Sequence, residues 1–272
     1  MLDFFNIPNS QDYISIYYGN GSIWETWTKP RKCNYVWIMC IGGGAGGSSP
    51  FGGIYTSVSA SGAVTRALFN SSNLPDTLYI QVGLGGAGAI GTNTVVAGGA
   101  GTRSFVSLTP STVVQNVIIA SGNAGANTVG ETAFTTASGT FATFSNFTST
   151  LGVTQPLTDI TPLSSQITCP GGFNNAITTA SGNSILATSI SPLIQGGASV
   201  VSGTGGNGAD GFTSWKPFFS LGGAAGGGSQ SGVGGNGGNG GIGSGGGSAG
   251  AGTTAGGNGG KGGDGLVIIM TF

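Results

Sequence analysis

The ionisable residues of this sequence allow little chemistry. Its 272 residues include no histidine, and 7 lysines and arginines stand against 8 carboxylates, for a net charge of -1. Histidine-based triads are therefore impossible, and acid-base catalysis would fall to carboxylates. These are Asp3, Asp12, Glu25, Asp76, Glu131, Asp159, Asp210 and Asp264. No two of them form a motif that would flank a glycosidic bond, so we expect no enzyme activity.

Metal and cofactor chemistry finds no better support. Cys33, Cys40 and Cys169 are too few for a disulfide framework, and without histidine a zinc site lacks its usual ligands. We expect plain thiols and no bound metal. Gly83–Gly88 matches G-x-G-x-x-G after a strand-like segment, but no helix follows it and no acidic residue stands about 20 positions on. We therefore expect no dinucleotide or other cofactor.

Two apolar clusters are candidates for binding. Trp215, Phe218 and Phe219 interrupt a glycine tract, and they predict either a hydrophobic plug in a loop or subunit contact, or an exposed patch for a sugar or protein. The second cluster lies in a predicted attachment segment, residues 1–22, which we expect to dock on a partner in a larger particle; the alternative is a strand added to the same domain. It consists of Leu2, Phe4, Phe5 and Ile7.

Composition excludes several classes of protein. Glycine occurs 58 times, yet 38% of the residues are apolar, 6% are charged, and the mean hydropathy is +0.22. Low charge argues against disorder and against a nucleic-acid partner. The start has no secretory signal, and the apolar runs are too short to span a bilayer. We expect a protein made in a cytoplasm, with no membrane insertion.

The strand-like segments are repeatedly followed by glycine runs. Tyr35–Ile41 leads into Gly42–Gly47, and Leu78–Val82 leads into Gly83–Gly91. Tyr13–Tyr18 and Leu266–Phe272 are also typical of strands. Because Tyr35–Ile41 and Leu266–Phe272 are apolar on both faces, they are predicted to be central strands of one sheet.

The tract from Gly203 to Gly265 contains Gly-Gly-X repeats. A left-handed helix with three residues per turn makes no internal hydrogen bonds, so such helices can pack side by side when glycine removes the Cβ atoms. The X residues would then line up as surface rungs; they are Asn236, Asn239, Asn258, Lys261 and Asp264. The alternative is a flexible linker, which the flanking strands disfavour.

These patterns predict a mainly β fold: a β-sandwich-like domain with a packed glycine-rich layer of the polyglycine II type and almost no α-helix. Residues 23–272 would form this single domain. Within it, about 130–202 is a variable insert rich in Thr and Ser, 203–265 is the Gly-Gly-X tract and 266–272 is the closing strand.

An ordered set of motifs resembles the glycine-rich domains of bacteriophage tail fibres and related virion proteins. Trp27–Pro30, Tyr35–Ile41 and Gly42–Gly47 are similar to the family's first strands and glycine run. Later motifs follow in the same order; they are Leu78–Gly88, Gly98–Phe105, Val117–Gly122 and Gly259–Thr271. The resemblance covers both ends of roughly 23–272, and about 130–202 has no counterpart.

This resemblance implies a place on the virion surface, contact with other virion proteins, and a homo-oligomer with a trimer favoured. We therefore expect a non-enzymatic viral structural protein, a capsid-surface subunit or a tail accessory or fibre subunit. The alternative is a receptor-binding adhesin that contacts host surface glycans or outer-membrane proteins through loops between polyglycine helices.

Overall fold

The computed structural model describes residues 14–52, 59–113, 115–121, 157–159, 168, 171–172, 194–216 and 218–272. Within these ranges the chain forms β-strands, one 3₁₀ turn (Ser71–Asn73) and no α-helix. The strands are β1 (Ile14–Tyr18), β2 (Glu25–Thr28), β3 (Tyr35–Ile41), β4 (Val64–Asn70), β5 (Thr77–Gln81), β6 (Ser104–Ser107), β7 (Val117–Ser121), β8 (Leu157–Asp159), β9 (Val200–Ser202), β10 (Thr213–Trp215), β11 (Phe218–Ser220), β12 (Ser229–Ser231) and β13 (Leu266–Thr271). The predicted mainly β fold is confirmed.

Two sheets form the sandwich. The first has five strands in the order β1-β13-β3-β4-β8, and the second has four in the order β2-β5-β6-β7. Strand β13 is antiparallel to β3, with Leu266 opposite Ile41 and Thr271 opposite Val36. The prediction that these two apolar segments share a sheet is confirmed, and both are central strands.

The main core lies between the two sheets. Alternate residues of β3 and β13, such as Val36, Ile38 and Ile269, point inward and are fully buried. Opposite them, the four-stranded sheet contributes Leu78 and Ile80, also fully buried. The period of two along each strand sends the intervening residues to the other face of the sheet.

That other face carries a second apolar cluster. It includes Met39 and Ile41 of β3 and Ile268 of β13, and the hairpin β10–β11 covers it with Phe218. Since β3 and β13 pack on both faces, their continuous apolar runs are explained by the structure.

Strand β1 belongs to this sheet. It pairs antiparallel with β13, with Ile14 opposite Met270 and Tyr18 opposite Leu266. Residues 14–18 of the predicted attachment segment are therefore part of the folded domain, and the attachment prediction now concerns residues 1–13, which lie outside the described ranges.

Most strands continue directly into extended glycine-rich segments that we call glycine helices. They are helix A (42–50), B (59–63), C (83–91), D (96–103), E (194–199), F (204–212), G (221–228), H (233–242), I (244–252) and J (255–265). Thus β3 runs into helix A, β5 runs into helix C, and helix J runs into β13. Positive φ angles at described glycines occur only at Gly21, Gly52, Gly203 and Gly243, so the glycines of the helices take the left-handed three-residue form with negative φ.

The hydrogen bonds between glycine helices repeat every three residues. The backbone N–H groups of Gly237, Gly240 and Gly243 donate to the carbonyls of Asn258, Lys261 and Asp264, at 2.8 Å each. Helices H and J are therefore parallel neighbours in register. The order of the Gly-Gly-X tract, predicted from its repeat, is confirmed for its described residues.

Each glycine helix bonds to several neighbours, because successive residues point in three directions. In helix J, Gly262 donates to Gly86 of helix C at 2.9 Å, and Gly263 donates to Ser244 of helix I at 2.8 Å. Its Gly260 carbonyl accepts from Gly47 of helix A at 2.8 Å. The result is a three-dimensional lattice held by backbone groups.

Glycine is required at the points where these backbones touch. A Cβ atom on Gly238 would lie 2.0 Å from the carbonyl oxygen of Ala209, and one on Gly260 would lie 1.9 Å from that of Gly238. Both distances are far inside van der Waals contact. The lattice therefore admits side chains only at its surface and at a few alanine and serine positions.

The domain has two opposite ends. At the base, the Phe272 carbonyl accepts from Asn34, and the Asn34 carbonyl accepts from Ser71, at 2.6 and 2.9 Å. At the tip, the turns that join the glycine helices meet: Gly52 donates to Gly252 and Thr254 donates to Gly232, at 3.1 and 3.0 Å. The strands of the two large sheets lie towards the base, and the glycine helices, with the short parallel pair β9 and β12, lie towards the tip.

Candidate interaction surfaces

One surface of the lattice carries rows of polar side chains. Helices F, H and J lie side by side there, and every third residue points outward. Asn236, Asn239, Asn258 and Lys261 are exposed and Asp264 is half-buried, which confirms that the predicted X residues form surface rungs. Helix F adds Asn207 and Asp210, which sequence reasoning missed because helix F has too few repeats to reveal a period.

The rung side chains complete the lattice hydrogen bonding. The N–H groups of four X residues, Asn236, Asn239, Asn258 and Lys261, each donate to the side chain of the X residue on the preceding helix. Asn236 N–H donates to Asn207 Oδ1 at 2.9 Å, Asn258 N–H donates to Asn236 Oδ1 at 2.9 Å, and Gly91 N–H donates to Asn258 Oδ1 at 2.7 Å. This rung crosses four helices without interruption.

A second, parallel rung stops at a lysine. Asn239 N–H donates to Asp210 Oδ1 at 2.6 Å, and Lys261 N–H donates to Asn239 Oδ1 at 2.8 Å. An ammonium group accepts no hydrogen bond, so Lys261 cannot pass the rung on to helix C. Its Nζ instead contacts Asp264 Oδ1 at 2.9 Å, an exposed ion pair that adds little stability.

The surface changes character on helix C. Its outward positions also recur every third residue, but they are apolar: Leu84, Ala87 and Ile90. Ile90 is 73% exposed and Leu84 is 39% exposed. A polar, hydrogen-bonded field on helices F, H and J thus borders an apolar column on helix C.

The G-x-G-x-x-G segment lies inside this lattice. The N–H groups of Gly83, Gly85 and Gly86 donate to Ser104 Oγ, Asp264 Oδ1 and the Gly44 carbonyl, at 3.0, 2.8 and 2.8 Å. Backbone donors that already have partners cannot bind a phosphate. The glycines of this motif therefore have a structural role in the lattice.

Sequence comparison identifies the family of this domain. The family model of the glycine-rich domain matches residues 19–271, nearly the whole chain. The chain belongs to the glycine-rich domain family. A search of curated proteins finds no significant match.

The aromatic hairpin of this glycine-rich domain is only partly available for contact. Phe218 is 7% exposed and packs in the second apolar cluster, and the receptor or subunit contact expected of Trp215, Phe218 and Phe219 stays a prediction. Trp215 is half-buried with its ring centroid 5.3 Å from that of Phe218, and half-buried Phe219 stacks edge-on against Phe212 at 5.9 Å. Burial of Phe218 fits the plug, one of the two readings of this cluster; Phe212 and Phe219 keep open edges.

The tip of the glycine-rich domain is rich in hydroxyl groups. Ser231 at the end of β12 and Thr253 and Thr254 in the turn after helix I are exposed, and Val201 of β9 is 71% exposed. Ser231 Oγ donates to the Val201 carbonyl at 2.9 Å, beside the parallel pairing of β12 with β9.

At the base, Lys29 has a structural role that sequence reasoning did not identify. Its Nζ donates to the carbonyls of Ser71 and Leu74, at 3.1 and 2.7 Å, and lies 3.3 Å from Asp76 Oδ1. The lysine of the Trp27–Pro30 motif therefore fastens the β2–β3 turn to the 3₁₀ turn. No signal in the sequence pairs residues so far apart.

The two described cysteines, Cys33 and Cys40, are free and buried, as predicted, and Cys169 lies outside the described residues. Complete burial strongly raises the pKa of the Cys40 thiol. Burial, and then the nearby Glu25 carboxylate, raise the pKa of Tyr17 above its ordinary value. Neither group is in a reactive state at neutral pH.

Within the described ranges, no three His, Cys, Asp or Glu side chains come together as a metal site would require. In the same part of the chain, no helix has the length and apolarity of a membrane span. The predicted attachment residues Leu2, Phe4, Phe5 and Ile7 lie outside the described ranges.

Proposed function

We propose that this glycine-rich domain is a non-enzymatic structural protein on the outside of a virus particle, as a capsid-surface subunit or a tail accessory or fibre subunit. The observation that carries the proposal is the two-ended architecture. Strands at the base continue as glycine helices to a tip of short turns. Such a domain can be fixed at one end and project the other.

The base is where the chain would join other virion proteins. Strand β1 begins at Ile14, which pairs with Met270 near the base, so the segment that precedes β1 in the sequence is connected to the domain at this end. A segment with Leu2, Phe4, Phe5 and Ile7 is too short for a core of its own, and docking on a neighbouring virion protein would bury it. Synthesis in the host cytoplasm precedes this assembly.

The proposal is tested by counting copies. Particles of the virus that encodes the chain would be purified and their proteins quantified by mass spectrometry against labelled peptides. A structural subunit should be present at many copies per particle and should resist salt washing. Absence of the chain from purified particles would refute the virion location.

A receptor-binding adhesin is the second candidate, and the tip favours it. Val201 and Ile90 are exposed at or near the tip, 71% and 73%, beside turns rich in hydroxyl groups. Apolar side chains set among hydroxyls suit a surface that contacts a host glycan or outer-membrane protein. An adhesin would be scarce in the particle and would bind host cells as a purified protein.

Matched variants separate the two candidates. Val201→Asp places a charge at the tip. Val113→Asp places one in the loop that joins β6 to β7, away from the tip, where Val113 is 55% exposed. Loss of host-cell binding in the tip variant alone would favour the adhesin. Equal behaviour of both variants, with normal particle assembly, would favour the structural subunit.

We also propose that the protein is a homo-oligomer, with a trimer favoured. A chain with 6% charged residues and an exposed apolar column on helix C gains stability if copies cover that surface. Native mass spectrometry of the full chain should show a trimer. A monomer at micromolar concentration would refute this part of the proposal.

A further inference from the structure

The surface rungs contain Asn–Gly pairs, which are prone to deamidation. Asparagine followed by glycine deamidates readily, because glycine has no Cβ to hinder attack by its own backbone nitrogen on the preceding side chain. The chain has five such pairs, at Asn20, Asn207, Asn236, Asn239 and Asn258. The last four are all rung residues in helices F, H and J.

The reaction needs a free backbone nitrogen, and the lattice holds each of the four. Gly208 donates to the Asn236 carbonyl, Gly237 to that of Asn258, Gly240 to that of Lys261, and Gly259 to that of Ala89, at 2.8 Å in every case. To attack, each nitrogen would have to give up a lattice hydrogen bond and turn towards its own side chain.

The asparagine Cγ, the carbon that the nitrogen would attack, is also fixed in position by hydrogen bonds. Oδ1 of each rung asparagine accepts a backbone N–H from the next helix, at 2.7 to 2.9 Å. These bonds keep the amide group pointing across the lattice, away from the following glycine nitrogen. The four side chains are nonetheless exposed, so exclusion of water is not what protects them.

We propose that the four rung Asn–Gly pairs are a latent modification site for hydrolytic deamidation, closed in the folded lattice and opened when the lattice unfolds. In the open state the glycine nitrogen bonds to the asparagine Cγ, the Cγ–Nδ2 bond breaks, and ammonia leaves with the amide proton. Water then opens the succinimide at either carbonyl. The net change is replacement of the side-chain amide by a carboxyl group, with aspartate or isoaspartate as product.

The two products differ in what the lattice can accept. Asp210 and Asp264 already occupy rung positions, and each accepts a backbone N–H through Oδ1, at 2.6 and 2.8 Å. Aspartate is therefore compatible with a rung. Isoaspartate adds a methylene group to the main chain, which shifts every later residue of a helix out of its three-residue register. Deamidation to isoaspartate after unfolding thus prevents the lattice from re-forming, whereas deamidation to aspartate does not.

The test compares one protein in two states. The full chain would be aged in mildly alkaline buffer, either folded or unfolded in guanidinium, with circular dichroism confirming each state. Peptide mapping by mass spectrometry would then quantify asparagine, aspartate and isoaspartate at each pair. We expect the four rung sites to react roughly tenfold more slowly, or slower still, in the folded protein. Folded and unfolded rates within about threefold of each other would overturn the proposal.

A pair of variants tests whether the side-chain hydrogen bond protects one rung asparagine from deamidation. Lys261→Pro removes the N–H that Asn239 Oδ1 accepts, while its fixed φ suits a three-residue helix and its carbonyl still accepts from Gly240. Lys261→Ala, the control, keeps that N–H. Asn239 should deamidate several-fold faster in the folded proline variant than in the alanine variant, with unchanged rates at the other three sites. Equal Asn239 rates in the two variants would show that the hydrogen bond from the Lys261 N–H to Asn239 Oδ1 does not slow deamidation.

Discussion

At the scale of single residues, the rung asparagines are exposed and yet have a structural role as hydrogen-bond acceptors. An exposed polar side chain on a repeat is ordinarily dispensable, since water replaces whatever it binds. Here the oxygen of Asn236 accepts the N–H of Asn258, so a surface amide closes the outermost row of the lattice. Its acceptor atom is what matters, and its amino group is not needed for that bond.

Two substitutions at Asn236 separate these atoms. Asn236→Ala removes the acceptor and should destabilise the domain by about 0.5–1.5 kcal/mol, the net value of one hydrogen bond. Asn236→Asp keeps an oxygen in place and should lie within about 0.5 kcal/mol of the parent protein. Chemical denaturation followed by circular dichroism measures both. An alanine variant as stable as the aspartate variant would contradict the rung assignment.

The buried thiol of Cys40 predicts a dependence on alkaline pH. Its pKa is raised in the folded protein, whereas in the unfolded chain it returns to about 8.5. The unfolded state therefore loses its proton first, and the free energy of unfolding should fall as pH rises above about 8.5, by up to roughly 1.4 kcal/mol per pH unit. Tyr17, whose pKa is also raised, should add to this above pH of about 10.

The measurement is a series of denaturation curves between neutral pH and mildly alkaline pH. Cys40→Ala should cost some stability through lost packing but should flatten the slope. Val36→Ala removes buried side-chain volume from the same strand without removing a thiol, so it controls for lost packing and should keep the slope. A slope that persists unchanged in Cys40→Ala would show that another group is responsible.

At the scale of elements, the glycine helices depend on close approach. The Cβ position of Gly238 lies 2.0 Å from a backbone oxygen, and backbone cannot move away as a flexible side chain can. Gly238→Val should therefore prevent folding or destabilise the domain by more than about 3 kcal/mol. Thermal unfolding and particle incorporation would both report the loss.

Ala87→Val is the matched control for this prediction. It puts the same branched side chain on a glycine helix, but at an exposed, outward position of helix C. Its thermal stability should stay close to that of the parent protein. Unchanged stability in Gly238→Val would mean that helix H does not pack as described.

Much of this element structure could be predicted from the sequence, because its signals are local. The apolar runs of β3 and β13 predicted central strands, and the repeat Asn236, Asn239 predicted a surface row. The rung bonds could not be predicted. Asn207 meets Asn236 only because the β10–β11 hairpin and β12 give the intervening chain the right length.

The sequence could not decide between the two readings of Phe218, or assign β1 to the sheet, for a related reason. The hairpin could have presented its aromatic rings to either side, and only the position of the neighbouring sheet decides which ring is buried. Likewise, Ile14–Tyr18 reads as an isolated short strand until β13, far along the chain, pairs with it. Long-range pairing leaves no local trace.

At the scale of the whole molecule, deletions can distinguish the role of β1 in folding from the role of the preceding residues in particle attachment. Removing Met1–Ser10 leaves β1 intact and should leave the domain folded, while the protein is lost from particles. Removing residues 1–19 also removes β1 and should lower stability, because Ile14 and Ile16 pack against the second apolar cluster. Circular dichroism and particle copy number are the two readouts. Normal incorporation of the shorter deletion would place the anchor elsewhere.

The position of β13 also governs when the protein can be completed. It follows every other described strand in the chain, yet it lies between β1 and β3, and helix J before it bonds to helices A, C, H and I. A ribosome delivers these residues only after all the partners that surround them. Until then β1 and β3 have no strand between them, and their apolar side chains are exposed to solvent. A chain in this state folds slowly and is prone to aggregate. Translation must therefore deliver β13 before the five-stranded sheet can form, and a product interrupted before helix J lacks the strand that joins β1 to β3.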